Sequence, residues 1–331
     1  MKSRQIILFF LYLLFAFLVL MSGEVDLLTS DGKVSSLSAQ VLLQLRLPKL
    51  FMALAAGGGL ALCGLLLQTF FQNPLAGPFV LGIQSGASFG VAMWMFLFSS
   101  LPWWPLALGS TAAAFIGSFA AMGLLIWLSH RMLHNVSLLI MGLLLNFFVS
   151  GALNILAVMN PAEKLKSFFV WSLGSFQRVG LQTASVFFFC TLVVLFLCFW
   201  LAPWLNKWLL GESYAESLGV SRKGMRWWVI VLSSLIVASV TSLCGPIAFV
   251  GLMAPHMTRL LFKTADHHIL LFHSYIVGGL FCTLAVLISG HWTAYVLPVN
   301  SVLSLLGIPL FIAIFLLPQT RHLFFDKQEA S

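Results

Sequence analysis

The sequence is short of charge. Of 331 residues only 8% are Asp, Glu, Lys or Arg, nine of them acidic, against 60% hydrophobic residues. With a mean hydropathy of +1.03, this composition excludes an ordinary soluble globule and leaves no room for a soluble catalytic domain. There is no GxxxxGK[ST] loop to cradle nucleotide phosphates and no HExxH pair, so the chain is not expected to hydrolyse ATP or to act as an enzyme. CxxC spacing is also missing. Cys63, Cys190, Cys198, Cys244 and Cys282 all fall in or at the ends of apolar runs, where cysteine packs as a small hydrophobe and neither pairs nor binds metal. His256 stands without partner ligands, and His273 and His291 are too scattered to ligate haem. His256 reads as hydrogen-bonded structure, and His267 and His268 read as a solvated turn. No cofactor, metal or nucleic-acid partner is expected. Low-complexity tracts, linkers and fixed-period repeats are absent as well.

What remains is a series of long apolar runs. Spans are expected at 5–22, 47–69, 79–98, 106–128, 136–158, 183–204, 226–243, 246–263, 271–290 and 299–317. A bilayer core of about 30 Å needs roughly 20 apolar residues per helix, and these runs give an all-α, polytopic membrane protein of about ten helices. The first run follows Lys2 and Arg4 without a small-residue cleavage site and is read as a retained span. Eleven of the seventeen Lys and Arg residues fall on the side of the termini: Lys2, Arg4, Arg131, Lys207, Arg222, Lys223, Arg226, Arg259, Lys263, Arg321 and Lys327. The positive-inside rule then puts both termini in the cytoplasm. The outer side keeps Lys33, Arg46, Lys49, Lys164, Lys166 and Arg178. Two breaks are less sharp. Gly245–Ile247 carries no charge and reads as a tight turn or a kink, and 159–182 contains an amphipathic stretch suited to the outer membrane surface. No Asp or Glu lies within a span, which disfavours ion coupling inside the chain.

The stretch 46–78, RLPKLFMALAAGGGLALCGLLLQTFFQNPLAGP, sets a basic pair around a proline, then a span thick with glycine, then a polar break. Lipid supplies no hydrophobic drive for helix association. Gly57, Gly58, Gly59 and Gly64, with their neighbouring alanines, are therefore expected to form a surface that other helices approach closely.

After the break, the NPLA-x-P-x-x-LG-x-x-x-GA pattern, preceded by RLPK, resembles the permease subunits of ABC importers for ferric siderophores, haem and cobalamin. The likeness continues through LLIMGLLLN at 138–146, WSLGS at 171–175, LLGESYAESLGV at 209–220, GPIAFVGLMAPHMTRLL at 245–261, and LPV followed by LLGIPLFI. It covers nearly the whole chain in order.

The resemblance implies one transmembrane permease domain over 1–331, acting as a homodimer in a bacterial inner membrane. Two cytoplasmic ATPase subunits would bind one face and a substrate-binding protein the other, and the cargo would be an intact iron chelate, haem or cobalamin, ferric siderophore leading. It makes Gly211, Glu212, Tyr214, Ala215, Glu216, Leu218 and Gly219 the ATPase-coupling element. Spacing alone gives a short helix with Tyr214 and Leu218 on one face, Glu212 and Glu216 on another, and Gly219 as its C-terminal cap. Arg46 and Lys49 would pair with acidic residues of the binding protein, although basic residues at a span mouth are more often headgroup anchors. Asn146, Ser150 and Asn154 recur every four residues on one helix face. Spacing favours helix-to-helix bonding, whereas the resemblance places them, with Asn300, Ser301 and Ser304 of the last span, along a translocation pathway. Val296 and Asn300 stand where the family commonly has Glu before LPV and Gly after it. A transporter or channel working without an ATPase is the alternative of a different class.

Overall fold

The computed structural model describes residues 2–22, 36–98, 109–131, 135–291 and 297–316. Lys33, Val296, Arg321 and Lys327, weighed above, lie outside them. Among the described residues every regular element is helical. Helix α1 is Lys2–Met21. Helix α2, Ser36–Val41, runs through a π-turn at Leu42–Arg46 into α3, Leu47–Phe70. Pro48 lacks an N–H and its ring crowds the carbonyl four residues back, so the wider π-turn sits just ahead of it. There follow α4 (Ile83–Met93), α5 (Gly109–Arg131), α6 (Asn135–Val158), α7 (Ala162–Ser172) and α8 (Leu181–Trp208). The last five are α9 (Glu212–Ser217), α10 (Arg222–Cys244), α11 (Val250–Phe262), α12 (His267–His291) and α13 (Val299–Leu316). Seven described segments are long and apolar enough to cross a membrane, and α4 and α13 are shorter apolar helices.

Helix α3 is the axis of the molecule, packed against α8, α10, α11 and α12. Its consecutive glycines point 100° apart and serve different neighbours. A Cβ on Gly57 would collide with the backbone of Gly278 in α12, one on Gly58 with the Tyr275 ring, and one on Gly59 would press on Ile236 of α10. The glycines are for packing, as the sequence suggests.

Hydrogen bonds sort the helix ends onto two faces. Arg4 Nη1 donates to the Leu261 carbonyl (2.5 Å), Arg226 Nη1 to that of Ser129 (2.5 Å) and Trp208 Nε1 to that of Phe70 (3.1 Å). This gathers the start of α1 and the ends of α3, α5, α8 and α11 on the side of α9. Opposite them, Arg46 Nη1 reaches the Leu20 carbonyl (2.7 Å), the Ser175 N–H that of Cys244 (2.7 Å) and the Asn300 N–H that of Leu173 (3.3 Å). Charge makes the α9 face the expected cytoplasmic one, termed inner here.

Two expected spans are not simple crossings. After α3 the chain turns back through two turns and a 3-10 turn at Pro78–Leu81, so that Pro78 packs on Gly251. Gly251 in turn contacts Gly64, roughly 9 Å above the inner end of α3 at 1.5 Å per residue. Helix α4 starts at that depth and runs outward. After α10, residues 245–249 descend in the same way and α11 runs inward from mid-depth. Helix α11 has 13 residues, about 20 Å, too short for the bilayer core. The order long helix, Gly-Pro break, half-helix, long helix, further helix holds for α3–α6 and, with directions reversed, for α10–α13. This inverted repeat is invisible to a fixed-period search because the two halves share a Gly-Pro break and little other sequence.

Candidate functional site

On the inner face, Gly211 (φ 112°) turns the chain out of α8 into α9. The helix closes in a Schellman motif: the Val220 N–H reaches the Ala215 carbonyl at 3.0 Å and the Gly219 N–H that of Glu216 at 2.9 Å, with Gly219 left-handed at φ 84°. This is the C-terminal cap expected of Gly219. Ala215 is buried beneath the helix, Arg222 pairs with Glu212, and Lys207 Nζ donates to the Leu218 carbonyl at 3.2 Å. The element is thus held on α8 and α10, while Tyr214 (56% exposed) and Leu218 (42%) face outward and Glu216 stands exposed beside them.

The polar residues of α6 and α13 divide in two. Asn146 Nδ2 donates to the Phe79 carbonyl (2.9 Å) and its Oδ1 accepts from Ser85 Oγ (2.6 Å). Asn300 Oδ1 accepts the Ala248 N–H (3.0 Å), and Ser304 Oγ donates to the Asn300 carbonyl (2.8 Å). Each asparagine satisfies an irregular segment that leads into a half-helix, where backbone groups at membrane depth must find partners inside the protein. Of the three residues spaced along α6, the argument for helix-to-helix bonding therefore describes Asn146; Asn300 bonds in the same manner, and Ser304 only within its own helix. Ser150, Asn154 and Ser301 are exposed instead, and Ser301 continues into a stripe of Leu305, Ile308 and Ile312 along α13. Asn146→Leu and Asn300→Leu are each expected to cost about 1–3 kcal/mol through an orphaned backbone group. A lower unfolding midpoint in detergent for these two variants, with none for Ser150→Ala or Asn154→Ala, is the check.

At the outer face one expectation is corrected. Arg46 is 5% exposed, with its guanidinium on the Leu20 carbonyl. It neutralises the open carbonyl end of α1 and does not project as a rim charge, because a cation beside a helix C-terminus gains from the dipole. Lys49 is half-buried, its Nζ beside Gly290 of α12. Lys164 Nζ and Arg178 Nη2 are likewise turned onto carbonyls, of Phe96 (3.1 Å) and of Val170 and Trp171 (3.0 and 2.8 Å). Of the outer cations in described segments, Lys166 on α7 and Arg178 are the exposed ones. Helix α7 is the amphipathic outer helix foreseen for 159–182, with Trp171 buried and Phe168 packed on Phe96.

A second correction concerns His267, expected as solvated and found fully buried between Thr69 and Asn206. Those partners lie 198 and 61 residues away, so a histidine beside an aspartate in a polar turn carries no local sign of burial. His256 is hydrogen-bonded structure as expected, with Nδ1 2.8 Å from the Leu252 carbonyl. Four of the cysteines are buried and Cys190 is exposed. Among the described residues no group of His, Cys, Asp and Glu is arranged to hold a metal ion.

The sequence profile of the FecCD transport family matches residues 5–317. The molybdate import system permease protein of Haemophilus influenzae is 31% identical over 282 residues, 84% of this chain and 82% of its own. The hemin transport system permease protein of Yersinia pestis is 32% identical over 272 residues, 82% and 81% of the two chains. A solved inward-facing structure of a metal-chelate-type ABC transporter superposes with a TM-score of 0.85 at 30% identity, covering 95% of this chain and 99% of that one.

Proposed function

The chain belongs to the FecCD transport family and is the multi-pass permease subunit of an ABC importer of the bacterial inner membrane, and from that premise we propose that it carries an intact iron chelate, ferric siderophore first, as one half of a homodimer. The chain itself performs no covalent step. Helix α9 is the contact for the ATPase, α6 and α13 flank the path, and the binding protein docks on the opposite face.

The observation that carries this reading is α9. Two exposed apolar side chains on a capped short helix, held from below by buried Ala215, make a rigid knob on a face otherwise marked by cations. Water solvates such a knob poorly, and a cleft in a soluble partner would cover it. The exposed polar groups of α6 and α13 are neutral, which favours a large cargo whose charge is masked by its chelator. The broad exposed face of α6, with Phe147 and Phe148 at 74% and 71%, supports a second copy as its cover.

Reconstitution in liposomes with its ATPase and binding-protein partners tests the proposal. Uptake of ⁵⁵Fe-loaded hydroxamate siderophore should require ATP and all three components. Uptake by the permease alone along an ion gradient would overturn the importer assignment. ATP-driven uptake of haem, cobalamin or molybdate but not the siderophore would overturn only the cargo.

A further inference from the structure

The inner end of α3 holds three other helices through buried polar groups. Asn206, in the last turn of α8, donates from Nδ2 to Asp266 Oδ1 (2.8 Å). Its Oδ1 accepts the His267 backbone N–H (2.9 Å) and lies 2.7 Å from His267 Nδ1. With the Asn206 oxygen so fixed as an acceptor, Nδ1 must carry the imidazole proton. Nε2 is then the acceptor for Thr69 Oγ1 at 2.7 Å. The donors run in one direction, Thr69 to His267 to Asn206 to Asp266. The bonds from Asn206 and the His268 backbone hold the Asp266 carboxyl below its ordinary pKa, so that it ends the chain as an anion.

A second arm starts one residue earlier. Gln68 Oε1 accepts from Arg259 Nη1 (2.6 Å) and its Nε2 donates to the Leu252 carbonyl (3.2 Å), both on α11. His256 of α11 meets Phe311 of α13 edge to face at 5.5 Å. The last turn of α8 is also fixed to α3 by Trp208 Nε1 on the Phe70 carbonyl (3.1 Å), by Gln72 Nε2 on the Trp208 carbonyl (2.9 Å) and by stacking of Phe70 on Trp208 (5.7 Å).

Position distinguishes this arrangement from ordinary helix contact. Helix α8 leads into α9 through Leu209–Gly211, and Lys207 Nζ holds the Leu218 carbonyl. A displacement of α9 therefore acts on the last turn of α8, where Asn206 and Trp208 lie, as well as on α10 through the pairing of Glu212 with Arg222. Helix α11 is a half-helix entered through Phe249 at φ 65°, a conformation a phenylalanine adopts only at a cost. Its start is pinned where Gly251 meets Gly64, so it can shift only by tilting about that crossing, which moves its inner end. We propose that Thr69–His267–Asn206 and Gln68–Arg259 form one relay, with Thr69 and Gln68 as positioning residues, that passes the displacement of α9 through α3 to α11 and the inner end of α13. The relay rests on the reading of α9 as the ATPase contact and of α13 as a helix beside the path.

The test uses the complex with its ATPase in a Cys190→Ser background, which removes the exposed native thiol. A reporter is placed on the exposed stripe of α13 as Ile312→Cys, and a water-soluble maleimide is applied without nucleotide and after ADP–vanadate trapping. The parent should show a nucleotide-dependent change in labelling rate of about five-fold or more. In Thr69→Val, which keeps the shape and loses the hydroxyl, the ATPase should stay bound and hydrolyse ATP, while the labelling change falls below about two-fold. Thr69→Ser should restore it, and Gln68→Leu should repeat the loss through the other arm should Thr69→Val not fold. Undiminished change in both variants overturns the relay and leaves the importer reading intact. Loss of labelling change only in step with loss of bound ATPase also overturns it, reducing the network to helix contact. No change in the parent overturns the relay together with the placement of α13.

Discussion

Gly64→Ala is expected to abolish the folded permease, the largest effect of any single methyl group added at the described glycines. A Cβ at that position lands on the backbone carbonyl of Gly251, and no rotamer change can move a backbone atom aside. Gly251 is itself pinned, because a Cβ there would meet both the Pro78 ring and the Leu60 carbonyl. Helix α3, half-helix α11 and the 3-10 turn before α4 therefore meet at one point with no slack. Overpacking of a flexible core costs about 1–3 kcal/mol. Here relaxation would have to separate two helices and expose irregular backbone to lipid, so the cost should pass the upper end of that range. Folded yield, read as the monodisperse peak in detergent, should fall by more than about ten-fold, since each 1.4 kcal/mol is a factor of ten. Gly77→Ala is the control, at a position where a Cβ meets nothing within 4 Å, and should express as the parent does. A normal yield of Gly64→Ala would mean that the crossing is looser than its backbone contact implies.

The same crossing shows what the sequence made legible. Small residues at 57–64 announce that helices come close, because in lipid nothing else would retain glycine at such density. Which helix each glycine meets is set by the 100° advance per residue together with the tertiary arrangement. The partners Gly251 and Gly278 stand about two hundred residues away and look like any membrane glycine. The ten apolar runs emerge as helices because hydropathy reports burial in lipid directly. That two of them are half-helices is not legible, because the irregular segment leading into each is as apolar as a span. Gly245 and Pro246 read correctly as an interruption, but only Asn300, which supplies the acceptor for the Ala248 N–H, explains how the break survives at depth. Neither its position at a span mouth nor the family likeness showed that Arg46 is drawn onto α1. A cation at a span mouth pairs with whatever negative end is nearest, and that is the C-terminus of α1, an element whose packing hydropathy does not encode.

Helix α9 was the most legible local element, since cap, face and helix are all set by neighbouring residues. Leu218→Asp is accordingly expected to separate the permease from its ATPase while leaving the permease folded. Leu218 is 42% exposed in the isolated chain, so a carboxylate there is solvated and costs little. Its backbone bonds, the N–H to the Tyr214 carbonyl at 3.1 Å and the carbonyl to Lys207 Nζ at 3.2 Å, do not involve the side chain. Against a dry cleft of the ATPase the same carboxylate would be unpaired, at a cost of several kcal/mol. A loss of about 3 kcal/mol is roughly a hundred-fold in affinity. Lys207 lies close enough to shield the new charge in part, and Lys207→Met combined with Leu218→Asp should therefore weaken binding further than Leu218→Asp alone. Glu216→Ala, an exposed neighbour on the other face of α9, should stay within about 1 kcal/mol of the parent. Affinity measured by titrating the ATPase onto nanodisc-held permease decides the matter. A dissociation constant for Leu218→Asp within about three-fold of the parent, corresponding to less than about 1 kcal/mol, would place the ATPase contact elsewhere on the inner face.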